Sequence, residues 1–188
     1  MTKRFELAAL PWSAWKNGAG RTREIAVEPP DAGAGGFDWR VSVAEVAADA
    51  PFSAFAGVDR CIVLLRGAGM RLHTADGHVA HTLDQPGQPW RFDGGMALAA
   101  RLLDGPCLDF NVMTRRGRWQ ADLRALAAPA RLEGADALLV LATGGAPRLD
   151  GEPLPVDAGR LWRHPRGDLN LAGRGTVLAL RLTRLDPP

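Results

Sequence analysis

Twenty-two glycines and fourteen prolines punctuate this chain at short intervals, and between them apolar residues recur at every second position more often than at helical spacing. That combination predicts an all-β chain. Strands are expected at 5–8, 22–27, 37–46, 60–66, 70–74, 78–83, 90–92, 96–103, 107–114, 137–143, 160–162, 169–171 and 177–182. The segment 119–126 is ambiguous, because alanine and leucine favour a helix while Trp119, Ala121, Leu123 and Ala125 alternate with Gln120, Asp122 and Arg124. The alternation is given the greater weight, and a strand is expected there. So many short strands suit a sandwich or barrel.

Two of these strands are unusual in what they alternate. Asp109-Phe110-Asn111-Val112-Met113-Thr114, followed by Arg115, and Phe37-Asp38-Trp39-Arg40-Val41-Ser42-Val43 each carry large apolar groups on one face. The other face carries carboxylate, amide, guanidinium or hydroxyl groups. It is either wet or lines a pocket. In the pocket alternative Arg40, Ser42, Asp109, Asn111 and Arg115 converge, since a few polar groups on apolar walls are enough to orient a small ligand.

The two parts of the chain also resemble each other. Ile62 to Arg66, stopped by Gly67, is matched by Leu138 to Thr143, stopped by Gly144, and each is followed by an Asp-Gly turn and an aromatic strand, Trp90-Arg91-Phe92 or Leu161-Trp162. Two similarly built β-lobes, approximately 1–118 and 119–188, are expected within one compact unit spanning 1–188.

Composition excludes several classes. The net charge of +2 is spread along the chain, so the one-sided basic patch that nucleic-acid phosphates require is not expected. No apolar run approaches the ~18 residues of a membrane span. The N-terminus does not read as a secretory signal, because Pro11 and Trp12 interrupt its apolar stretch. Cys61 and Cys107 lie far apart in apolar contexts without CxxC spacing and read as reduced core thiols. A cytoplasmic location follows as the expectation.

Motifs of the kind that carry chemistry are sparse. His73, His78 and His81 crowd one hairpin, but His73 and His81 fall on opposite faces by strand parity, and neither an HxH pair nor a glutamate at ligand spacing accompanies them. No metal and no cofactor are expected. Trp15-Lys16-Asn17-Gly18-Ala19-Gly20 is glycine-rich, yet its lysine precedes the glycines and no long amphipathic helix follows, so it is not a phosphate loop. Lys16 and Asn17 remain candidates for the mouth of a pocket. Phe52 and Phe55 read as core plugs, while Arg60, at the start of a buried run, either pairs with another charge, as Asp59 does, or grips a substrate carboxylate.

Four ordered blocks carry a resemblance. They are Pro11-Trp12 with Trp15 to Gly20 and Glu24-Ile25-Ala26; Phe37 to Ser42; Phe52 to Arg60; and Asp104-Gly105-Pro106 through Asp109 to Met113 and on to Gly117. Over roughly residues 5–118 the chain resembles the HutD/Ves family of bacterial cupin-like proteins. The resemblance implies a bicupin-like double β-barrel, or jelly roll, associated in some relatives with histidine utilisation and binding a pathway metabolite rather than turning it over. Ala19 departs from the family pattern, which usually has a glycine there.

The function expected on these grounds is binding of a small polar or anionic metabolite of the urocanate or formylglutamate class, with a regulatory role. Arg40 and Arg115 are expected to oppose the ligand carboxylate, Asn111 and Ser42 to supply neutral hydrogen bonds, and Asp109 to orient an arginine or a ligand N–H. Lys16 and Asn17 close the mouth, and Arg60 and Met113 complete the ligand set. Two other classes stay open: a cupin enzyme, isomerase or hydrolase, with a carboxylate or metal-assisted site, and a protein-interaction module. A homodimer is also an open alternative.

Overall fold

The computed structural model describes residues 2–30, 32–33, 36–165 and 167–186. Among them the chain forms β1 (Thr2–Glu6), β2 (Ser13–Ala14), β3 (Gly20–Glu28), β4 (Trp39–Val46), β5 (Ala50–Pro51), β6 (Val58–Arg66), β7 (Met70–Thr74), β8 (Val79–Leu83) and β9 (Trp90–Asp93). It continues with β10 (Leu98–Leu102), β11 (Cys107–Arg115), β12 (Trp119–Ala127), β13 (Ala130–Leu132), β14 (Ala137–Leu149), β15 (Glu152–Pro153), β16 (Ala158–Arg163) and β17 (Leu169–Arg184). The ambiguous segment from Trp119 is strand, and a 3₁₀ turn at Leu7–Ala9 stands where the first expected strand was to end. No helix among the described residues is long and apolar enough to cross a membrane.

The strands group into two compact units, residues 11–118 and residues 2–10 with 119–186. Residues 2–10 therefore leave the lobe expected at 1–118. The cause is strand pairing: β1 runs antiparallel to β16, with Phe5 opposite Gly159. A Cβ on Gly159 would sit 2.2 Å from the Phe5 ring, so the glycine admits that ring to the sheet.

In residues 11–118, a six-stranded sheet ordered β2-β3-β4-β11-β6-β9 accompanies a four-stranded sheet ordered β5-β10-β7-β8. Val46, Ile62 and Leu64 from the larger sheet pack with Met70, Leu72, Leu83 and Ala100 from the smaller one, so the sheets share a core. The register across β4, β11 and β6 stacks three rows on one face: Arg40–Met113–Arg60, Ser42–Asn111–Ile62 and Ala44–Asp109–Leu64. Trp39, Val41, Val43, Phe110 and Val112 occupy the opposite face and are buried as well. The polar alternation in β4 and β11 thus does not mark a wet sheet face, since residues on both faces of these strands are buried.

In the other unit one sheet runs β1-β16-β14-β17-β12, with β13 on β17 and β15 on β14. Its core is Leu132, Leu138, Val140, Ala142, Leu149, Leu154, Leu171, Val177 and Ala179 with their neighbours. The glycine expected to stop the strand at 143 does not do so, because β14 continues to Leu149 against β17. Gly144 and Gly145 face Thr176 and Gly175 at a bulge, where small residues on both strands bend the ladder without breaking it. For the same reason the strands expected at 169–171 and 177–182 are one strand, β17.

Candidate functional site

The shared face of β4, β11 and β6 opens onto a cavity of about 480 Å³. Lys16, Asn17, Arg40, Ser42, Arg60, Asp109, Asn111 and Met113 all line it. The three strands bring Arg40, Ser42, Arg60, Asp109, Asn111 and Met113 together through the register described above. The loop between β2 and β3 contributes Lys16 and Asn17. That loop is pinned from its own residues: Trp15 Nε1 donates to Thr22 Oγ1 at 2.8 Å, Asn17 Oδ1 accepts the Ala19 N–H at 3.1 Å, and Gly18 adopts a positive φ of 71°. Gly20 is required by packing, because a Cβ there would lie 2.3 Å from the Glu45 carbonyl oxygen and 2.9 Å from the Trp15 ring.

Arg115 is the exception. It shares the parity of Asp109, Asn111 and Met113, but it lies one row past the cavity, opposite Val58. Its Nη2 donates to the Phe37 carbonyl at 3.2 Å and its guanidinium lies 5.9 Å from the Phe37 ring centroid. Arg115 is thus not among the residues lining the cavity, whereas Arg60, in the adjacent row, is.

Arg60 is the organising residue. It is 8% exposed, and its guanidinium lies 5.1 to 5.8 Å from the ring centroids of Phe52, Phe55 and Phe92. Nε and Nη2 donate to Asn111 Oδ1 at 3.3 and 3.1 Å, and Nη1 donates to the Ser53 carbonyl at 3.2 Å. Three of its five N–H groups are thereby used among the described residues, which leaves one on each terminal nitrogen. Two N–H groups on one guanidinium are what a bidentate contact to a carboxylate requires. Asn111 is in turn oriented by Ser42, whose Oγ accepts from Asn111 Nδ2 at 3.5 Å.

Arg40 and Asp109 do not pair with each other. Arg40 Nε donates to Glu24 Oε2 at 2.7 Å across the β3–β4 pair. Asp109 is 2% exposed, stands between Ala44 and Leu64 on the flanking strands, and receives no hydrogen bond among the described residues. Burial pushes its carboxyl up to about 7, with the Arg60 charge opposing the rise. Burial likewise draws Arg60 down to about 10, with Asp109 working against the fall and Arg40 adding to it. Cys107, on the same strand, is raised to about 12 by burial and by Asp109, so its thiol stays protonated at neutral pH.

Sequence patterns alone missed Ser53, whose carbonyl holds Arg60, and Glu24, which holds Arg40. Thr22 and Glu24 alternate in β3 as the polar residues of β4 do, and that alternation was the available signal. The histidines stay apart from the cavity lining. His81 stacks on Trp90 at a centroid distance of 4.6 Å, and His73 Nδ1 contacts the Gly77 carbonyl oxygen at 3.1 Å. A lining with one carboxyl, no imidazole and the cations Lys16, Arg40 and Arg60 does not fit the donor set of a divalent metal.

Comparison with known proteins agrees with this architecture. The sequence model of the HutD family matches residues 7–180. Protein Ves of Citrobacter koseri is 36% identical over 168 residues, covering 89% of this chain and 86% of the relative. The structure of HutD from Pseudomonas fluorescens SBW25, in a formate condition, superposes with a TM-score of 0.87 at 30% identity, covering 99% of this chain and all of the other. A cupin 2 conserved barrel domain protein from Leptotrichia buccalis shares the fold at a TM-score of 0.60 and 11% identity, covering 97% and 96% of the two chains.

Proposed function

The chain belongs to the HutD family and has its all-β, cupin-like fold, and on that premise we propose that the cavity binds a small carboxylic acid and that binding, not turnover, is its role. One observation carries the reading: a buried arginine whose position is fixed by Asn111 and Ser53 keeps two N–H groups for an anion. Lys16, which makes no ion pair among the described residues, adds a second positive charge at the mouth. Arg40, already paired with Glu24, adds less. A cavity of about 480 Å³ suits a metabolite. Asp109 is left to meet a polar group elsewhere on the ligand. Family membership directs the choice of acids toward intermediates of histidine breakdown, urocanate and formylglutamate, and toward a regulatory role in the cytoplasm, without nucleic-acid or membrane partners.

A thermal-shift and calorimetric screen against urocanate, N-formylglutamate and other small acids tests this reading. A ligand present at 100 times its dissociation constant adds about 2.7 kcal/mol to stability. Arg60→Ala and Asn111→Ala should each weaken the binding by roughly tenfold or more, as loss of a charge-assisted hydrogen bond does. If no acid stabilises the protein, or if Arg60→Ala leaves the affinity intact, the reading fails. A second reading, in which Asp109 serves an enzyme as general base, draws support from its near-neutral pKa. Chemical change of a bound acid, followed by NMR, would favour it.

A further inference from the structure

We propose that the cavity takes up its anionic ligand together with one proton, which is held on Asp109. This rests on the carboxylate-binding reading above and adds a co-bound ion to it.

Geometry makes Asp109 the proton's seat. Its cross-strand neighbours are Ala44 and Leu64, so neither flanking strand offers a hydrogen bond. Arg60, the nearest cation in effect, turns its Nε/Nη2 edge to Asn111 and one further N–H to Ser53. The carboxyl is therefore buried and unbonded, and it lines the same cavity as the fork that would hold the anion. An anion on Arg60 brings a second negative charge to the Asp109 carboxylate and competes for the one cation that stabilises it. Two carboxyl groups sharing a low-dielectric site do not both stay ionised, and the one without hydrogen bonds takes the proton.

Other charged and titratable groups around Asp109 do not remove this conflict. From β4 comes Arg40, which is committed to Glu24 of β3. From β6 comes Arg60, and from the β2–β3 loop Lys16 at the exposed mouth. Cys107 precedes Asp109 on β11 and is a neutral thiol at neutral pH. The smaller sheet presents Met70, Leu72 and Ala100 to this core. With its free-state pKa near 7, Asp109 is partly ionised just where the coupling would be felt.

The sign is fixed. Anion binding raises the Asp109 pKa, so binding takes up a proton, and affinity is highest below pH 7 and falls as pH rises through and above it, by roughly tenfold per pH unit while the linkage lasts.

The test uses the full chain with acids of constant charge between pH 6.5 and 8.5: formate, acetate and N-formylglutamate, at fixed ionic strength. Calorimetry of the tightest binder at pH 8, in buffers of differing ionisation enthalpy, should report uptake of close to one proton per site. Asp109→Asn should flatten the pH profile and bind more tightly than the native protein at pH 8. Binding that is independent of pH with no proton exchanged, or binding that releases a proton, overturns the inference and leaves the carboxylate reading standing. Failure of all three acids to bind at any pH removes both. Should the variant not fold, the proton count on the native protein decides alone.

Discussion

Strands β11 and β14 are both long, central and buried, yet they bury different chemistry. In β14 the run Ala137 to Ala142 is apolar on both faces, and its partner β17 contributes Val177 to Leu180 and Leu182 in the same manner. In β11 one face is apolar, through Phe110 and Val112, and the other carries Asp109 and Asn111 with Ser42 and Arg60 on the strands beside it. Burying those groups costs stability unless each is partnered. Asn111, Ser42 and Arg60 partner one another and Asp109 does not. The unit containing residues 11–118 thus carries a polar cost inside its core that β14 and β17 avoid, and the cost falls on the wall of a cavity. The difference separates a scaffold from a site.

The largest expected effect breaks the comparison on the scaffold side. Leu139 is fully buried in β14, opposite Leu180 and Leu161. Leu139→Ala should cost about 2–5 kcal/mol by lost burial and the cavity it leaves. Chemical denaturation measures the loss, while the acid affinity of the protein that remains folded should be unchanged. A selective loss of affinity with stability intact would show that β14 serves the ligand directly.

The next effect has the opposite sign and belongs to the site. The folded-state pKa of Asp109 is raised to about 7, above the ordinary carboxylate value of 3.8, so the native state holds the proton more tightly than the unfolded chain. Stability is therefore greatest at low pH with respect to this group, is lost as pH rises from about 4 to 7, and stays reduced above that. Asp109→Asn should raise stability at pH 8 without ligand by up to about 4 kcal/mol, and the gain should vanish toward pH 4. Denaturation at several pH values checks this. A variant less stable than the native protein at pH 8 would mean that the carboxylate is better compensated than its surroundings show.

This contrast was only partly legible in the sequence. Period-two alternation identified β4, β6, β7 and β11 closely, and it placed Arg40, Ser42, Asp109, Asn111 and Met113 on one set of faces, because side-chain parity is a local property of a strand. What parity leaves open is where a cavity ends along the strand. Arg115 has the right parity and the wrong row, and only the pairing with Val58 and the nearby Phe37 carbonyl reveals it. The Arg40–Glu24 pair was hidden for a similar reason: it depends on cross-strand register, which shifts at a bulge between Glu24 and Ala26. Glycines misled in the second unit. Gly67 at a positive φ ends β6, whereas Gly144 and Gly145 let β14 bend and continue, and the strand opposite decides which of these a glycine does.

Arg115 supplies the smallest effect and sharpens the boundary of the site. Although it stands two residues from Met113 on the same strand, its guanidinium serves the Phe37 carbonyl and ring, outside the cavity lining. Arg115→Ala should therefore leave acid affinity unchanged within about twofold and cost roughly 1 kcal/mol of stability, as loss of one partly buried hydrogen bond does. Isothermal titration of the variant beside Arg60→Ala makes the comparison direct. Equal losses from the two would mean that the anion reaches one row further along β11 than the cavity does, and that the binding face extends past Met113; a loss confined to Arg60 places the anion's limit at the Arg40–Met113–Arg60 row.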